Sequence, residues 1–344
     1  MSDDRAMATI ERITELARIP GADAIVRARV RGWDVVVKAG EFATGDLCVY
    51  FEVDALLDTG DERFAFLAAR GVRTDGHGRT GHVLKTARLR GQYSQGLALP
   101  VTLFPELGDG RPGQDVTAAL GVVRWDPPIP TDRLGKIRGY RPSWIRSTGQ
   151  VRLQNQPELL RCRDQGWIAT EKIDGTSTTY WVDGDDRGAC TRNVDLLEEP
   201  ASRVWQTGIG LGVHDLLRAE FPGRRAAVQG ELYGLGGHVN PLRLPDTRFS
   251  AFTLLLDGAV VPRDRWPSWL TALSVPVHDL PFPATVDEAL SQVDGLPSAI
   301  NPARPAEGVV WVAGGADLVQ LPGGGYAPGS FKVISNRYLL KNDR

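Results

Sequence analysis

The stretch ATEKIDGTSTTYW, residues 169–181, holds a lysine, a spacer, an aspartate and a glycine between two runs that favour β-strands. Gly175 is the expected turn residue of a hairpin between these runs. The two-residue period of a strand then places Lys172 and Asp174 on one face and Glu171 on the other. An ammonium and a carboxylate that converge at the end of a strand can share a phosphate group and its metal ion. A motif this short also occurs as a surface ion pair, so both interpretations are open at this point.

Lysine is rare in this chain, which has six lysines against 34 arginines. Arginine cannot act as an amine nucleophile, because its guanidinium does not lose its proton in proteins. A lysine can, once nearby positive charge lowers its pKa from an ordinary value near ~10.4. An arginine-rich chain must therefore keep a lysine wherever an amine has to react, and Lys172 is a candidate for such a residue. Lys332, in an extended run near the C-terminus, is a second candidate for a functional lysine.

Further candidates follow downstream. Glu231 lies in a predicted strand between two glycines, and Glu307 stands at the start of another predicted strand. Arg192 and Asn193 follow the first two predicted strands of this region, and Phe252 lies in a later apolar strand. Each candidate also has an ordinary interpretation: Phe252 as a core residue, Glu231 as a turn acid, and Arg192 as one arginine among many.

Length and patterning predict two domains. Residues 1–125 hold several short alternating strands and one helix, at 61–70, so we predict an OB-fold barrel. Residues 126–144 carry four prolines and are interpreted as a linker, and residues 145–344 form the second domain. The strands predicted in the first domain lie within 24–40, 46–57 and 82–100. The helices predicted in the second domain span 200–208, 213–221, 263–273, 285–293 and 335–343. The strands predicted there span 165–173, 176–183, 226–233, 248–256 and 307–313.

Composition limits the class of protein. The chain is 42% hydrophobic and 24% charged with a formal net charge of −2, which indicates a globular protein and neither requires nor excludes a nucleic-acid partner. Three cysteines without CxxC spacing fit a reducing cytosol, so we expect a cytoplasmic protein. The sequence has neither an 18-residue apolar run nor histidine pairs with metal-ligand spacing. We therefore expect no membrane span and no structural zinc.

In order and spacing, the set Lys172, Asp174, Glu231, Glu307 and Lys332 resembles the signature of the covalent nucleotidyltransferase superfamily, which contains polynucleotide ligases and mRNA-capping enzymes. The lysine of the KxDG motif becomes nucleotidylated in that superfamily. Each motif alone is weak evidence, whereas the ordered set is specific.

A narrower resemblance covers nearly the whole chain. The stretches VVVKAGEFATGDLCVYFEVDALL (35–57), RLQNQPELL (152–160) and SFKVISNRYLLK (330–341) are similar to the Deinococcus-type ATP-dependent RNA ligases. This resemblance implies an α+β fold. In that fold an N-terminal OB-fold β-barrel precedes a ligase-type nucleotidyltransferase domain, in which antiparallel sheets surround an ATP cleft. We also expect a monomer.

The resemblance implies a role for each matched residue. Lys172 accepts AMP, Lys332 holds the α-phosphate, Phe252 stacks on adenine, and Glu171 reads the adenine amino group. A bound metal ion and Lys332 are expected to lower the pKa of Lys172. The implied catalytic residues are Lys172, Lys332, Glu231 and Glu307. The implied ATP-binding residues are Glu171, Lys172, Arg192, Asn193, Glu231, Phe252 and Lys332. The implied ligands of Mg²⁺ or Mn²⁺ are Asp174, Glu231 and Glu307.

The activity implied is that of an ATP-dependent RNA ligase in RNA repair. Such an enzyme seals 3′-OH/5′-phosphate nicks in duplexes through a lysyl-AMP intermediate and prefers RNA on the 3′-OH side. In the first domain, Lys85, Arg88 and Arg90 are candidates for nucleic-acid binding, and the strand that carries 27–31 presents a second basic face. The basic residues at 85–90 and those at 27–31 can instead lie on ordinary solvated strand faces. Two alternatives stay open: another covalent nucleotidyltransferase (a DNA ligase or a capping guanylyltransferase), or a catalytically inactive OB-fold protein that binds nucleic acid.

Overall fold

The computed structural model describes residues 5–125, 136–236, 240–314 and 317–342. The chain forms two compact units. The first comprises Met1–Pro130, Gln154–Pro157 and Leu339–Arg344, and the second comprises Thr131–Leu153 and Glu158–Tyr338. Within the described ranges, no helix has the length and apolar character that crossing a membrane requires.

The first unit is built from short antiparallel strands. The strands are β1 (Ala8–Arg18), β2 (Ile25–Val30), β3 (Trp33–Lys38), β4 (Leu47–Phe51), β5 (Ala55–Leu57), β6 (Arg73–Thr74), β7 (Thr80–Val83), β8 (Ala87–Leu89), β9 (Gln92–Ser94), β10 (Leu97–Pro100) and β11 (Val123–Arg124). One sheet has the order β10-β4-β1-β2-β3, another has the order β11-β5-β7-β6, and β8 and β9 form a hairpin. Short 3₁₀ helices span Ala65–Arg70, Val101–Leu103 and Pro105–Leu107.

The strands predicted from alternation are confirmed in the first unit, and Gly32 separates β2 from β3. The strand β1 was not predicted, because Ile10, Ile13 and Leu16 recur every three residues rather than every two. Ile10 is buried in a different cluster from Ile13 and Leu16, and a register shift between Ile13 and Glu15 in the pairing with β2 accounts only for the second interval. The helix predicted at 61–70 is wrong over its first half, since only Ala65–Arg70 is helical, as a 3₁₀ turn.

In the described ranges, the second unit combines two large sheets with short α-helices, and the last of these helices begins in this unit and continues past Tyr338, where the unit ends. Its strands are β12 (Ile137–Tyr140), β13 (Val151–Arg152), β14 (Ile168–Lys172), β15 (Thr176–Asp183), β16 (Asp186–Cys190), β17 (Val194–Leu196), β18 (Ala226–Gly234), β19 (Thr247–Leu256), β20 (Ala259–Val261), β21 (Val277–His278), β22 (Gly308–Val312), β23 (Leu318–Gln320), β24 (Tyr326–Pro328) and β25 (Ser330–Ile334). The helices are α1 (Arg203–Gly210), α2 (Val213–Glu220), α3 (Ser268–Ala272), α4 (Val286–Val293) and α5 (Asn336–Asn342). Further 3₁₀ segments span Leu153–Asn155, Pro157–Arg161 and Arg263–Arg265.

A seven-stranded sheet has the order β12-β17-β16-β15-β18-β19-β20, and a five-stranded sheet has the order β13-β25-β22-β14-β21. The five-stranded sheet is antiparallel except where β13 runs parallel to β25. One face of the seven-stranded sheet carries a buried cluster that includes Tyr180, Trp205 and Leu217, so α1 and α2 cover that face. The α+β class predicted from the sequence is confirmed.

The predicted hairpin around Gly175 is wrong. Strand β14 pairs with β21 and β22, whereas β15 pairs with β16 and β18 in the other sheet. The chain therefore crosses from one sheet to the other within the three residues 173–175. Gly175 does not have the positive φ of a hairpin turn. A Cβ there would lie 2.4 Å from the carbonyl oxygen of Leu232, so close backbone approach requires the glycine.

The interpretation of 126–144 as a linker needs a second correction. Residues 126–135 lie outside the described ranges. The following segment is not a linker, because Ile137–Tyr140 forms β12 and pairs with β17 at the edge of the seven-stranded sheet.

Candidate active site

Lys172 ends β14, and its side chain is 24% exposed. Its Nζ donates a hydrogen bond to Oε2 of Glu307 at 2.8 Å. Sheet register explains this contact, since Lys172 pairs with Gly308, the residue that follows Glu307. A Cβ at Gly308 would lie 2.1 Å from the carbonyl oxygen of Val333, so only glycine lets β22 and β25 approach this closely. The two strands thus fix Glu307 beside the lysine.

The charges around Lys172 stabilise its ammonium form. Burial lowers the pKa of Lys172, but Glu307, Glu231 and Asp174 together raise it more, so its pKa stands above the ordinary value. The lowered pKa that we expect for Lys172 from the sequence is therefore not found in the protein by itself. Any lowering has to come from positive charge that offsets these three carboxylates.

Glu231 lies in β18, opposite Ser177 of β15 and Ser250 of β19. Burial is the main cause that raises the pKa of Glu231, to about 8, and Glu307 and Asp174 raise it further while Lys172 and Arg192 lower it. The structure therefore brings Glu231 into the same charged group as Lys172.

Arg192 and Asn193 lie in the exposed turn between β16 and β17. Arg192 acts electrostatically on Glu231, which places this turn at the same site. The backbone carbonyl of Asn193 accepts a hydrogen bond from the N–H of Arg141 at 3.1 Å, so the turn is tied to the residue that follows β12.

Asp174 has a partner that the sequence reasoning missed. The hydroxyl of Tyr338, in α5, donates to Oδ2 of Asp174 at 2.8 Å. The N–H of Tyr338 donates to Oγ of Ser335, and the N–H of Ser335 donates to the carbonyl oxygen of Glu307 at 2.9 Å. The segment after Lys332 thus touches two of the acidic residues. The sequence shows that Tyr338 follows Lys332 by six residues. Strand period alone does not predict that the helix after β25 brings this tyrosine to Asp174.

Glu171 points away from Lys172 and is only 2% exposed. Its carboxylate accepts hydrogen bonds from Oγ of Ser298 at 2.5 Å, from the N–H of Ala299 at 2.7 Å and from Nε2 of His278 at 3.0 Å. These donors come from β21 and from a loop far along the chain, so sequence patterning did not identify them. The role of Glu171 in reading adenine stays a prediction.

Phe252 is half-buried against a cluster that contains Ile173, Tyr233 and Val275, with Ile300 packed beside it. This position suits either a core residue or one wall of a binding pocket. Ile300 directly follows the Ala299 amide that binds Glu171. Glu171 and Phe252 therefore border the same apolar cluster, although they lie in different sheets.

Lys332 lies on the same face of the five-stranded sheet as Lys172. Lys332 pairs with Val310 in one row across the sheet, and Thr170 of β14 pairs with Val310 from the other side. Lys172 is two residues from Thr170, and side chains two residues apart on a strand share a face. The two lysines predicted to act together are thus on one surface.

A metal site fits this group only with water as part of its coordination. Within the described ranges, no group of three His, Cys, Asp or Glu side chains is arranged to bind a metal ion directly. Asp174, Glu231 and Glu307 nevertheless all act electrostatically on Lys172. Carboxylate oxygens suit Mg²⁺, which keeps several of its waters when it binds proteins. The donor set therefore fits a hydrated divalent ion.

The basic residues of the first unit differ in their surroundings. Arg88 donates to the carbonyl oxygen of Gly91 and lies over the ring of Tyr93, with Arg90 exposed at the same hairpin. Neither is paired with a carboxylate among the described residues, whereas Nζ of Lys85 lies 3.6 Å from Asp54.

The second predicted basic face is neutralised by acidic residues. Arg27 and Arg29 pair with Asp34 at 3.2 and 3.3 Å, and Arg31 pairs with Glu11 at 2.5 Å. Its positive charge is offset within the strand layer, so this face is an ordinary ion-paired strand surface rather than a basic one.

Comparison with known proteins supports both halves of the predicted architecture. A family model described as an OB-fold domain matches residues 7–101, and one described as RNA ligase matches residues 165–314. No curated protein matches the chain.

Solved structures of an RNA ligase from Naegleria gruberi match over almost the whole length. A mutant with AMP and Mn is 34% identical, with a TM-score of 0.85 over 98% of this chain and 99% of that chain. A mutant with ATP and Mn gives the same values. The structure with PPi is 35% identical, with a TM-score of 0.85 over 99% of this chain and 100% of that chain.

The order of an OB-fold followed by an RNA ligase domain, predicted from the motifs, is thus confirmed. An identity of 34% over 98% of the chain, with a lysine and three carboxylates grouped at the KxDG motif, leads to one conclusion. This chain belongs to the RNA ligase family.

Proposed function

We propose that this protein is an ATP-dependent RNA ligase that seals 3′-OH/5′-phosphate nicks in duplexes through an AMP adduct on Lys172. The observation that carries the proposal is the group formed by Lys172 with Glu307, Glu231 and Asp174 in a chain of the RNA ligase family. The Naegleria relatives with ATP and Mn support ATP and a divalent ion as the requirements. An OB-fold that precedes the ligase domain supports the Deinococcus-type assignment.

The first step begins with Lys172 as an ammonium, which must release a proton to solvent before its nitrogen can attack. Glu307 accepts the hydrogen bond that orients Nζ. A divalent ion, Mg²⁺ or Mn²⁺, held through water by Asp174, Glu231 and Glu307, would supply positive charge and Lewis acidity at this point. Once their charge is offset, these carboxylates stabilise the ammonium less, and the pKa of Lys172 falls.

The amine of Lys172 then attacks the α-phosphorus of ATP. A P–N bond forms, the bond to the β-phosphate oxygen breaks, and pyrophosphate leaves. Lys332, on the same sheet face, stabilises the charge that develops on the α-phosphate. Phe252 and its apolar neighbours form one wall of the adenine site. Glu171 and the backbone of Ala299, which donates to it, lie at the edge of that site. The exposed turn that carries Arg192 and Asn193 contacts the ribose and phosphates.

Two transfers complete the reaction. The phosphate oxygen of an RNA 5′-end attacks the adenylate phosphorus, which breaks the P–N bond and regenerates Lys172. A 3′-hydroxyl then attacks the activated 5′-phosphate, so that a phosphodiester forms and AMP leaves. We propose that the β8–β9 hairpin with Arg88 and Arg90 binds the phosphate backbone, and that RNA is preferred on the 3′-OH side.

Intact mass spectrometry after incubation with ATP or GTP tests the first step. We expect one added adenylate from ATP, absent in Lys172→Met and located at Lys172 by peptide mapping. An adduct only from GTP would instead indicate a capping enzyme. No adduct with either nucleotide, together with nick binding, would indicate an inactive binding protein.

Sealing assays on four nicked duplexes test the substrate preference. The strand that supplies the 3′-OH and the strand that supplies the 5′-phosphate are each made of RNA or DNA. We expect sealing to follow RNA on the 3′-OH side. Equal sealing with DNA on that side would contradict the preference but leave the adenylylation proposal intact.

A further inference from the structure

We infer that Tyr338 is a positioning residue that holds the Asp174 carboxylate in the orientation needed for ATP and its divalent ion. The inference rests on the proposed function, since it concerns the carboxylate of the KxDG motif. It adds the C-terminal helix α5 to the proposed active site. Neither charge nor strand period assigned a role to this helix.

The contact is specific. The Tyr338 hydroxyl donates to Oδ2 of Asp174 at 2.8 Å, and Tyr338 is 7% exposed, so little water competes for the hydrogen bond. The two residues are 164 positions apart in sequence, and only the return of the chain through β25 and α5 brings them together. Burial and the nearby Asp174 raise the pKa of Tyr338, so its hydroxyl keeps the proton that it donates.

The tyrosine is itself held in place. Ser335 is 2% exposed and lies directly before α5, and its Oγ accepts the N–H of Tyr338. The N–H of Ser335 donates to the carbonyl oxygen of Glu307. The segment that begins at Lys332 therefore connects to the residue that binds Lys172 and to Asp174, and it fixes the phenol relative to both.

This arrangement solves a problem created by the charges of the site. Asp174 acts electrostatically on the Lys172 ammonium, and without another partner it would be drawn toward that charge. A donor on Oδ2 restrains the carboxylate and leaves Oδ1 for a ribose hydroxyl or a metal-bound water. Partners that orient site carboxylates in this way typically change metal affinity or activity by about 10–100-fold.

The test uses Tyr338→Phe in the full chain, which removes the hydroxyl and keeps the ring. We expect the rate of Lys172 adenylylation at subsaturating Mn²⁺ to fall by about tenfold, and the Mn²⁺ concentration for half-maximal rate to rise. In a Lys172→Met background, which excludes turnover, calorimetric binding of ATP with Mn²⁺ should weaken on the same substitution. Tyr326→Phe is the matched control, because Tyr326 is 69% exposed on β24.

A double-mutant cycle with Asp174→Ala separates positioning from a general structural role. If Tyr338 acts through Asp174, Tyr338→Phe has no further effect on ATP binding once Asp174 is alanine. Equal effects in both backgrounds, or an unchanged binding constant in Tyr338→Phe, would overturn the inference. A wild-type protein that forms no adenylate would instead overturn the proposed function.

A second measurement applies if Tyr338→Phe does not fold. With 3-fluorotyrosine at position 338, the ¹⁹F signal reports the hydrogen bond of the phenol. We expect the signal to shift in Asp174→Ala, and an unchanged signal would refute the contact.

Discussion

Nζ of Lys172 lies 2.8 Å from Oε2 of Glu307, so the proposed nucleophile is an ion-paired ammonium before substrate binds. Two further carboxylates strengthen this state, since Glu231 and Asp174 also raise the pKa of Lys172. The free protein therefore holds Lys172 in its unreactive ammonium form. Only positive charge can offset these three carboxylates, so a bound divalent cation rather than the anionic nucleotide would favour deprotonation of the lysine.

Substitution of Glu307 by glutamine removes the acidic neighbour with the largest effect on the pKa of Lys172. We expect the pKa of Lys172 to fall, so that the adenylylation rate rises with pH over a lower range than in the wild type. The maximal rate should drop as well, because a metal-binding acid is lost. The measurement is the pH profile of adduct formation at saturating ATP. Glu198→Gln, which breaks the exposed pair with Arg187, should leave the profile unchanged; an unchanged midpoint in Glu307→Gln would contradict the assignment.

The half-buried acid Glu231 makes stability depend on pH. Its pKa rises from 4.5 to about 8 on folding, so the folded state loses stability as pH increases between these values. Glu231→Gln removes this loss. We expect the variant to be more stable than the wild type at pH 9 by on the order of 5 kcal/mol, and the difference to vanish at pH 4. Urea unfolding of the nucleotide-free proteins checks this, and a difference independent of pH would argue against a raised pKa. Adenylylation should be lost at every pH.

Glu171 accepts three hydrogen bonds with one carboxylate, which an amide cannot do. In Glu171→Gln the amide nitrogen would meet at least one donor, and we expect a loss of about 1–3 kcal/mol in the free energy of unfolding. Thermal or urea unfolding measures the loss. The control is Glu220→Gln, an exposed acid at the end of α2, for which we expect no change. A stable Glu171→Gln protein would show that these three contacts contribute little.

The close approach at Gly175 predicts the effect of a single methyl group. In Gly175→Ala the Cβ would lie 2.4 Å from a backbone oxygen of β18, which cannot rotate away. We expect β18 to shift relative to Lys172, a loss of about 1–3 kcal/mol in stability, and a large drop in adenylylation. Gly210→Ala is the control, since nothing lies within 4 Å of a Cβ at that position. Normal activity in Gly175→Ala would contradict the proposed role of the glycine.

Binding to a nicked duplex should depend on the β8–β9 hairpin. Replacement of Arg88 and Arg90 by glutamine should weaken binding and reduce the slope of log affinity against log salt by about 1–2. Adduct formation with ATP alone should be unaffected, because the hairpin lies in the other unit. Arg27→Gln removes an arginine that is already paired with acids and should leave the slope unchanged. An equal loss in both variants would mean that the hairpin is not a specific contact.

Sequence patterning predicted the positions of candidate residues well where those positions depend on local strand geometry. Lys172 and Lys332 share a face because strands have a period of two, whereas Asp174 joins their charged group from the crossing segment that follows β14. It failed where partners come from elsewhere in the fold. His278, Ser298 and Tyr338 reach the motif from loops or elements more than 100 residues away, and no local pattern encodes such contacts. Gly175 was interpreted as a turn residue, but close packing against β18 is what requires it. The sequence alone does not distinguish these two reasons for a glycine.

The passage of the chain between the two sheets at 173–175 limits how far the sheets can separate near Lys172. Four residue steps join Lys172 to Thr176, so these two positions can never be more than about 14 Å apart. The two sheets are thus tethered beside Lys172, the proposed nucleophile, so they can separate only a little at this point. If the proposed reaction requires the sheets to separate for a polynucleotide, Lys172 lies where that separation is smallest.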